Sequence, residues 1–268
     1  MARKLQSHSV ARYSLELNKE TMMKPVRFVM SALALAMAMP AFADDPAPAP
    51  APAADPLSFN VSLISDYRYR GISQTRLKPA LQGGADYAFD SGFYVGTWLS
   101  TIKWIKDGGG DAPMEWDIYG GYKTEITKGV TLDVGLLQYE YVNNKLNPSA
   151  NTLEVYAAVT VGPVTAKYSD STTNLFGFAD SKNSGYLEVA AALDLGEGFT
   201  LTPHYGHQKV KNWSVASYSD YSVTLNKDLA GFTWGAAVVG TNAHQAYVGP
   251  GNKDLGKTSL VVSVKKTF

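Results

Sequence analysis

Leu57-Ser58-Phe59-Asn60-Val61-Ser62-Leu63 alternates apolar with polar side chains, and this period of two decides the fold class. Successive side chains of a β-strand point to opposite faces, so the odd positions share an apolar face and the even positions a polar one. We expect this strand to continue to residue 70, which adds Tyr67 and Tyr69 to the apolar face.

Alternation of the same kind recurs down the chain, and no amphipathic helix of convincing length interrupts it. Residues 80–89 and 93–105 also have strand character, but both of their faces are mixed. The sequence therefore predicts an all-β protein of antiparallel strands. The other apolar faces are Met114-Trp116-Ile118-Tyr122, Val130-Leu132-Val134-Leu136, Leu153-Val155-Ala157-Val159-Val161, Leu187-Val189-Ala191-Leu193, Tyr221-Val223-Leu225 and Leu260-Val262-Val264.

The connections between these strands alternate between tight turns and longer polar loops. Glycine supplies the positive φ angles that short turns require. Five turns and six loops join about twelve strands, which is typical of a bacterial transmembrane up-and-down β-barrel with both termini on the periplasmic side. The turns lie at residues 90–92, 127–129, 162–163, 196–198 and 229–231, and the loops at 71–79, 106–113, 143–150, 171–183, 211–217 and 242–257.

The first 56 residues are predicted to lie outside the barrel domain. A basic stretch at residues 22–27 precedes an apolar run that ends in Ala41-Phe42-Ala43, so residues 22–43 are predicted to be a signal peptide cleaved after Ala43. An uncleaved membrane anchor is the alternative. Residues 1–21 are interpreted as a non-native upstream extension, residues 44–56 as a stiff Pro/Ala-rich linker, and residues 57–268 as the barrel domain.

Composition excludes several classes of site. The chain has no cysteine, so neither a disulfide framework nor a thiolate site can form. Six basic and two acidic residues lie in the first 43, so the remainder carries a formal charge of minus four, which gives no electrostatic case for nucleic acid binding. No cofactor is indicated. His204 and His207 are expected on opposite faces of a strand, which argues against a shared metal ion.

Alternation by itself fits either a membrane barrel that is apolar outside or a soluble exported barrel that is apolar inside. Export, sixteen tyrosines and five tryptophans for interfacial girdles, and the C-terminal Phe268 favour the membrane. A terminal Phe after an alternating strand resembles the tag that the barrel-assembly machinery recognises, although Lys266 stands where a hydrophobic residue is usual. We therefore expect a protein of the cell outer membrane, surrounded by outer-membrane lipid.

Four stretches carry a family resemblance. They are residues 65–75 (Ser-Asp-Tyr-Arg-Tyr-Arg-Gly-Ile-Ser-Gln-Thr), 78–87 (Lys-Pro-Ala-Leu-Gln-Gly-Gly-Ala-Asp-Tyr), 91–98 (Ser-Gly-Phe-Tyr-Val-Gly-Thr-Trp) and 115–122 (Glu-Trp-Asp-Ile-Tyr-Gly-Gly-Tyr). These stretches resemble the TorF family of porins, and the likeness is specific over the first third of the barrel domain. The resemblance implies an outer-membrane, porin-like barrel and adds little about the solute.

Polar residues on the predicted inner faces are candidates for the lining of a pore. The densest group is Asp66, Arg68 and Arg70, with Gln74 and Arg76 beyond them. Opposed charges at the mouth of a pore can select ions, but Asp66 and the arginines can equally form an interior salt-bridge ladder in a filled lumen. The candidates are Asp66, Arg68, Arg70, Gln82, Asp86, Glu115, Asp117, Lys123, Asp133, Glu154, Glu188 and Asp220.

The expected function is a non-enzymatic channel for passive diffusion of small polar solutes or ions. Two alternatives stay open. One is a plugged structural or adhesive barrel whose external loops contact partners. The other is an outer-membrane lipid or ester hydrolase, in which His204 or His244 acts as base for a serine such as Ser219 or Ser222. The oligomeric state is not predicted.

Overall fold

A computed structural model describes residues 55–243 and 246–268. The predicted upstream extension, the signal peptide and the linker as far as residue 54 lie outside the described residues, as does His244.

Twelve antiparallel strands form one closed sheet, as predicted. Each strand pairs with its neighbours along the chain, β1 pairs with β12, and β8 pairs with both β7 and β9, so no edge is left open. The strands are β1 (Leu57–Ile64), β2 (Ala80–Ala88), β3 (Phe93–Thr101), β4 (Met114–Thr127), β5 (Val130–Glu140), β6 (Thr152–Val161), β7 (Val164–Ser171), β8 (Gly185–Ala191, continued as Leu193–Gly196), β9 (Phe199–Lys209), β10 (Tyr218–Leu229), β11 (Phe232–Thr241) and β12 (Ser259–Thr267).

The barrel is apolar outside and polar inside. Val134, Val189 and Val223 are exposed on the outer face, whereas Glu115 and Asp220 are buried inside. The two strands with mixed faces follow the same rule, since the even positions of β2 and β3 point inward. An exposed apolar surface that surrounds a whole protein indicates contact with an apolar medium.

Short turns gather at one end of the barrel and long loops at the other. The five predicted turns are confirmed, and Gly92 and Gly129 take φ values of +91° and +78° there. We call this end the turn end and the opposite one the loop end. The chain enters β1 and leaves β12 at the turn end. The connections at the loop end are residues 65–79, 102–113, 141–151, 172–184, 210–217 and 242–258.

The prediction for the end of the first strand is wrong. β1 stops at Ile64, and residues 65–79, which we call the inner segment, turn into the barrel. Tyr67, predicted to face outward, is 1% exposed, and Tyr69 packs against the interior core. The reason is local, because the carboxylate of Asp66 accepts hydrogen bonds from side chains of the same segment and folds it back on itself.

The other loops carry only short elements. A four-residue α-helix, α1 (Trp104–Asp107), and a single 3-10 turn (Ser214–Ala216) are the helical elements among the described residues. Two-residue strands form a hairpin within the inner segment (Arg68–Tyr69 with Ile72–Ser73) and another in the last loop (Val248–Gly249 with Lys253–Asp254). No helix in the described ranges is long and apolar enough to cross a membrane.

The assignment of faces predicts unequal effects of the same substitution at two neighbouring positions. Val223 lies midway along β10 on the outer face, and Ser222 faces inward beside it. We expect Val223→Arg to destabilise the barrel in lipid by about 2–4 kcal/mol, because the guanidinium meets hydrocarbon. Ser222→Arg places the same charge beside interior carboxylates and is expected to cost less. Urea titration of both variants in liposomes measures the difference, and equal losses contradict the assignment.

Candidate pore interior

Charged side chains form a belt around the interior. Its members alternate in sign along the wall, since Lys123 lies opposite Asp133 across β4 and β5, and Lys167 lies opposite Glu188 across β7 and β8. These four are half-buried rather than fully enclosed. Their exposure indicates that solvent reaches this level of the barrel. The belt consists of Asp86, Lys123, Asp133, Lys167, Glu188, His204, Asp220 and Lys265.

Tyrosine hydroxyls satisfy the belt carboxylates. Tyr119 donates to Asp86 at 2.5 Å and Tyr94 to Asp133 at 2.6 Å. A hydroxyl donor stabilises a carboxylate without cancelling its charge, so the belt keeps its electrostatic field while its acidic groups stay hydrogen-bonded. Neither tyrosine was among the predicted lining residues: the position of Tyr119 follows from the alternation of β4, whereas Tyr94 lies on β3, whose faces are mixed in sequence.

Inward-facing glycines make room for these tyrosines. The Tyr119 ring lies against Gly96, and the Tyr94 hydroxyl lies against Gly121 on the neighbouring strand. A Cβ on Gly121 would come within 2.5 Å of the Tyr94 hydroxyl and 2.6 Å of the Val134 carbonyl oxygen. The glycines therefore thin the wall and let long polar side chains lie flat along it.

The two histidines of β9 face opposite sides, as predicted. His204 points inward, with Nε2 at 3.1 Å from Glu188 and Nδ1 at 3.5 Å from Asp220. His207 points outward, and its Nδ1 lies 2.9 Å from the Ser219 hydroxyl. Of the two serines named for the hydrolase hypothesis, Ser219 thus contacts His207, and Ser222 lies opposite His204 in the register of β9 and β10. No cluster of three or more potential metal ligands occurs among the described residues.

The inner segment crosses the loop half of the lumen as a tight hairpin. Arg70 and Gly71 form its tip, with φ values of +44° and +76°. A Cβ on Gly71 would meet the Asp220 Cβ at 2.9 Å and would also clash with Thr241. Glycine is therefore required at the tip both for its backbone angles and for its close approach to β10 and β11.

Arg70 joins the tip to the opposite wall. Its guanidinium binds both carboxylate oxygens of Glu154 on β6, at 3.2 and 2.8 Å, and the amide oxygen of Gln208 on β9 at 2.5 Å. The ring of Tyr186 lies 4.1 Å from the guanidinium carbon. Arg70 is 0% exposed and Glu154 is 1% exposed, so no solvent-filled space surrounds this contact.

The opposite flank of the inner segment is aromatic. Tyr67 packs edge-on against Trp98 with ring centroids 5.5 Å apart, and Tyr69 packs similarly against Tyr139. The Tyr67 hydroxyl donates to Glu115 at 2.5 Å. Burial and then the charge of Glu115 raise the pKa of Tyr67 well above its ordinary value, so its proton is kept.

The structure divides the predicted lining residues between two environments, and those on strands all face inward. Five of them, Asp86, Lys123, Asp133, Glu188 and Asp220, belong to the belt, and Asp220 lies where the belt meets the inner segment. The rest are fully buried around or within that segment: Asp66, Arg68, Arg70, Gln82, Glu115, Asp117 and Glu154. Two belt lysines, Lys167 and Lys265, were missed, although each occupies an inward position of its strand.

The Asp66–Arg68 pair has the geometry of the salt-bridge alternative. Arg68 Nε lies 2.5 Å from Asp66, and Arg68 Nη1 donates to the carbonyl oxygens of Leu255 and Lys257 in the last loop. Arg70 pairs with Glu154 instead, 84 residues away in sequence. The predicted cluster is therefore split between a fold-stabilising pair and a cross-lumen contact.

Comparisons with known proteins agree with this architecture. The family described as "Bacterial protein of unknown function (Gcw_chp)" matches residues 49–268. No curated protein matches the sequence. The resemblance to the TorF family is a finer statement than this match and stays a prediction.

Two solved structures share the fold. A KdgM porin in complex with disordered oligogalacturonate aligns with a TM-score of 0.50 at 8% sequence identity, covering 79% of this chain and 98% of that chain. A NanC porin aligns with a TM-score of 0.50 at 9% identity and the same two coverages. At such identities the likeness establishes the barrel fold.

Adjacent glycines on β4 provide a test of the tyrosine packing. Gly121→Ala is expected to lower the free energy of unfolding by about 1–3 kcal/mol, because the added methyl group overlaps Tyr94 and the backbone of β5. Gly120→Ala is the matched control, since a Cβ there meets its nearest atom at 3.1 Å on the outer face. The urea midpoints of the two variants measure the difference. If Gly120→Ala is less stable than Gly121→Ala, the packing of Tyr94 against Gly121 does not explain the need for glycine.

Proposed function

The chain belongs to the family described as bacterial protein of unknown function (Gcw_chp), and we propose that it is a porin-like channel of the bacterial outer membrane. The channel passes small polar solutes or ions by passive diffusion. Its path follows the belt at the turn end and then the loop half of the lumen, which the inner segment occupies.

One observation carries this proposal: four of the belt charges, two lysines and two carboxylates, are partly exposed inside a barrel whose exterior is apolar. An ionised group that loses water in a low-dielectric surrounding pays several kcal/mol. These four side chains avoid this cost because water reaches them in the lumen. A hydrated and charged interior within an apolar wall is what a polar solute needs to cross a bilayer.

The outer membrane is the location that this surface fits. A closed sheet leaves no unpaired backbone group in lipid, and Leu260 and Val262 of the last strand and Phe268 directly after it are exposed on the outside. Together with the predicted signal peptide, the terminal Phe supports export followed by recognition by the barrel-assembly machinery. In this orientation the loop end faces the cell exterior and both chain ends face the periplasm.

The belt favours no strong ion selectivity. Four carboxylates stand against three lysines, an excess of one negative charge when His204 is neutral. Neighbouring charges of opposite sign create a field across the lumen rather than along it, and such a field orients polar solutes of either charge. We therefore propose small polar solutes of mixed charge, with a slight preference for cations.

A plugged scaffold is the second candidate, because the inner segment fills the loop half around Arg70. Planar bilayer recordings separate the two. A channel gives stepwise currents that scale with salt concentration, whereas a scaffold gives none at any voltage. Phospholipid hydrolysis by the purified protein, lost in His207→Ala or Ser219→Ala, would instead support the hydrolase.

Reversing one belt charge is expected to change selectivity. Lys167→Glu leaves five carboxylates and two lysines, so the excess negative charge rises from one to three. The reversal potential in a KCl gradient should move towards the equilibrium potential of K⁺. Lys182→Glu makes the same charge change on an exposed loop, where salt screens it within about 10 Å, and is expected to have a smaller effect. Equal shifts in both variants speak against the belt as the selectivity element.

A further inference from the structure

We infer that the inner segment is a gate for the channel proposed above, and that Arg70 is the residue that holds it shut. This inference rests on the proposed function, since a gate needs a path to close. It concerns one hairpin, residues 65–79, and one contact between its tip and the barrel wall.

The segment is built to move as a unit. Asp66 accepts hydrogen bonds from Arg68 Nε at 2.5 Å, Ser73 Oγ at 2.5 Å and Thr75 Oγ1 at 3.2 Å. A backbone hydrogen bond from Gln74 to Tyr67, 2.8 Å long, closes the same loop. These bonds lie within the segment, and Arg68 and Ser73 also bond to Leu255 of the last loop, so the hairpin leaves the lumen together with that loop.

The contact between tip and wall is polar and concentrated in one side chain. Arg70 contacts Glu154 on β6, Tyr186 on β8 and Gln208 on β9. Three strands are thus tied to one guanidinium. Gly71 contributes close packing to β10 and β11, and Ile72 behind it packs in an apolar cluster with Tyr218 and Leu255.

A buried ion pair responds strongly to loss of one partner. Without Arg70, Glu154 is left as a buried charge beside Gln208, and that charge favours water. Water enters when the hairpin withdraws, so removal of Arg70 favours the open state. The aromatic flank around Tyr67 still holds the base of the segment, which keeps the hairpin attached to the loop end.

The position of the contact explains why it controls passage. Asp220 touches the hairpin tip on one side and approaches His204 of the belt on the other. The sealed region around Arg70 therefore lies directly above the hydrated belt. Withdrawal of the tip joins the belt to the loop end.

Arg70→Ala tests this inference, with two readouts on the full chain in lipid. Amide hydrogen exchange of residues 65–79 should accelerate about a hundredfold, while exchange in the barrel strands is unchanged. Open time in planar bilayers should rise by a similar factor. Arg70→Lys keeps the charge but cannot bind a carboxylate in a bidentate manner. Its exchange rate and open time should lie between those of the wild type and those of Arg70→Ala.

Arg76→Ala is the matched control. Arg76 belongs to the same segment, but it pairs with Asp107 near the surface, and its side chain is 38% exposed. This variant should leave exchange and open time within twofold of the wild type. If Arg70→Ala fails to fold, Gln208→Leu weakens the same contact without removing a charge and should accelerate exchange in residues 65–79.

The outcomes separate the gate from the channel. Unchanged exchange in residues 65–79 of Arg70→Ala overturns the gate whatever the current. Faster exchange in Arg70→Ala, with equal currents in this variant and the wild type, overturns the gate but is consistent with the channel. Faster exchange in Arg70→Ala, with no current in this variant or in the wild type, overturns both the gate and the channel. It indicates a scaffold with a removable plug.

Discussion

Backbone hydrogen bonding is the constraint on which the structure depends. An apolar medium offers no partner to a bare N–H or carbonyl group, and each one left unpaired costs several kcal/mol. The chain meets this requirement by pairing β1 with β12, so that twelve strands close on themselves. Closure then fixes an inside and an outside, and the period of two assigns every side chain to one of them.

Twelve strands enclose an interior of intermediate size. Eight-stranded barrels are filled by their own side chains, whereas barrels of sixteen or more strands leave a wide channel. In this barrel the two halves of the lumen are filled in different ways. In the turn half, tyrosines lie flat over glycines and leave the belt hydrated. In the loop half, a hairpin of the chain itself occupies the lumen and is enclosed by aromatic side chains on one flank.

The sequence predicts the barrel well, because alternation and turn chemistry are local signals. It fails at Tyr67 and Tyr69 for a physical reason. A short hairpin also alternates, so the pattern of β1 continues past Ile64 although the chain has turned inward. Tyrosine suits both an interfacial girdle and a hydrogen-bonded interior, so residue type does not correct the error. The Arg70–Glu154 contact is beyond sequence analysis, since it joins residues 84 positions apart through a loop whose path is set by tertiary packing.

The two flanks of the inner segment imply different demands on it. An arginine–glutamate pair buried in a protein contributes little stability compared with well-packed apolar side chains, because both ions lose water. A permanent plug could therefore have been held by apolar packing on both flanks, as Tyr67 and Trp98 hold it on one. The polar contact on the other flank gives a seal that is specific in geometry yet separates into groups that water readily solvates. A hairpin with one aromatic flank and one ionic flank can act as a hinged element. The aromatic flank keeps the hairpin attached to the barrel, and the ionic contact can break.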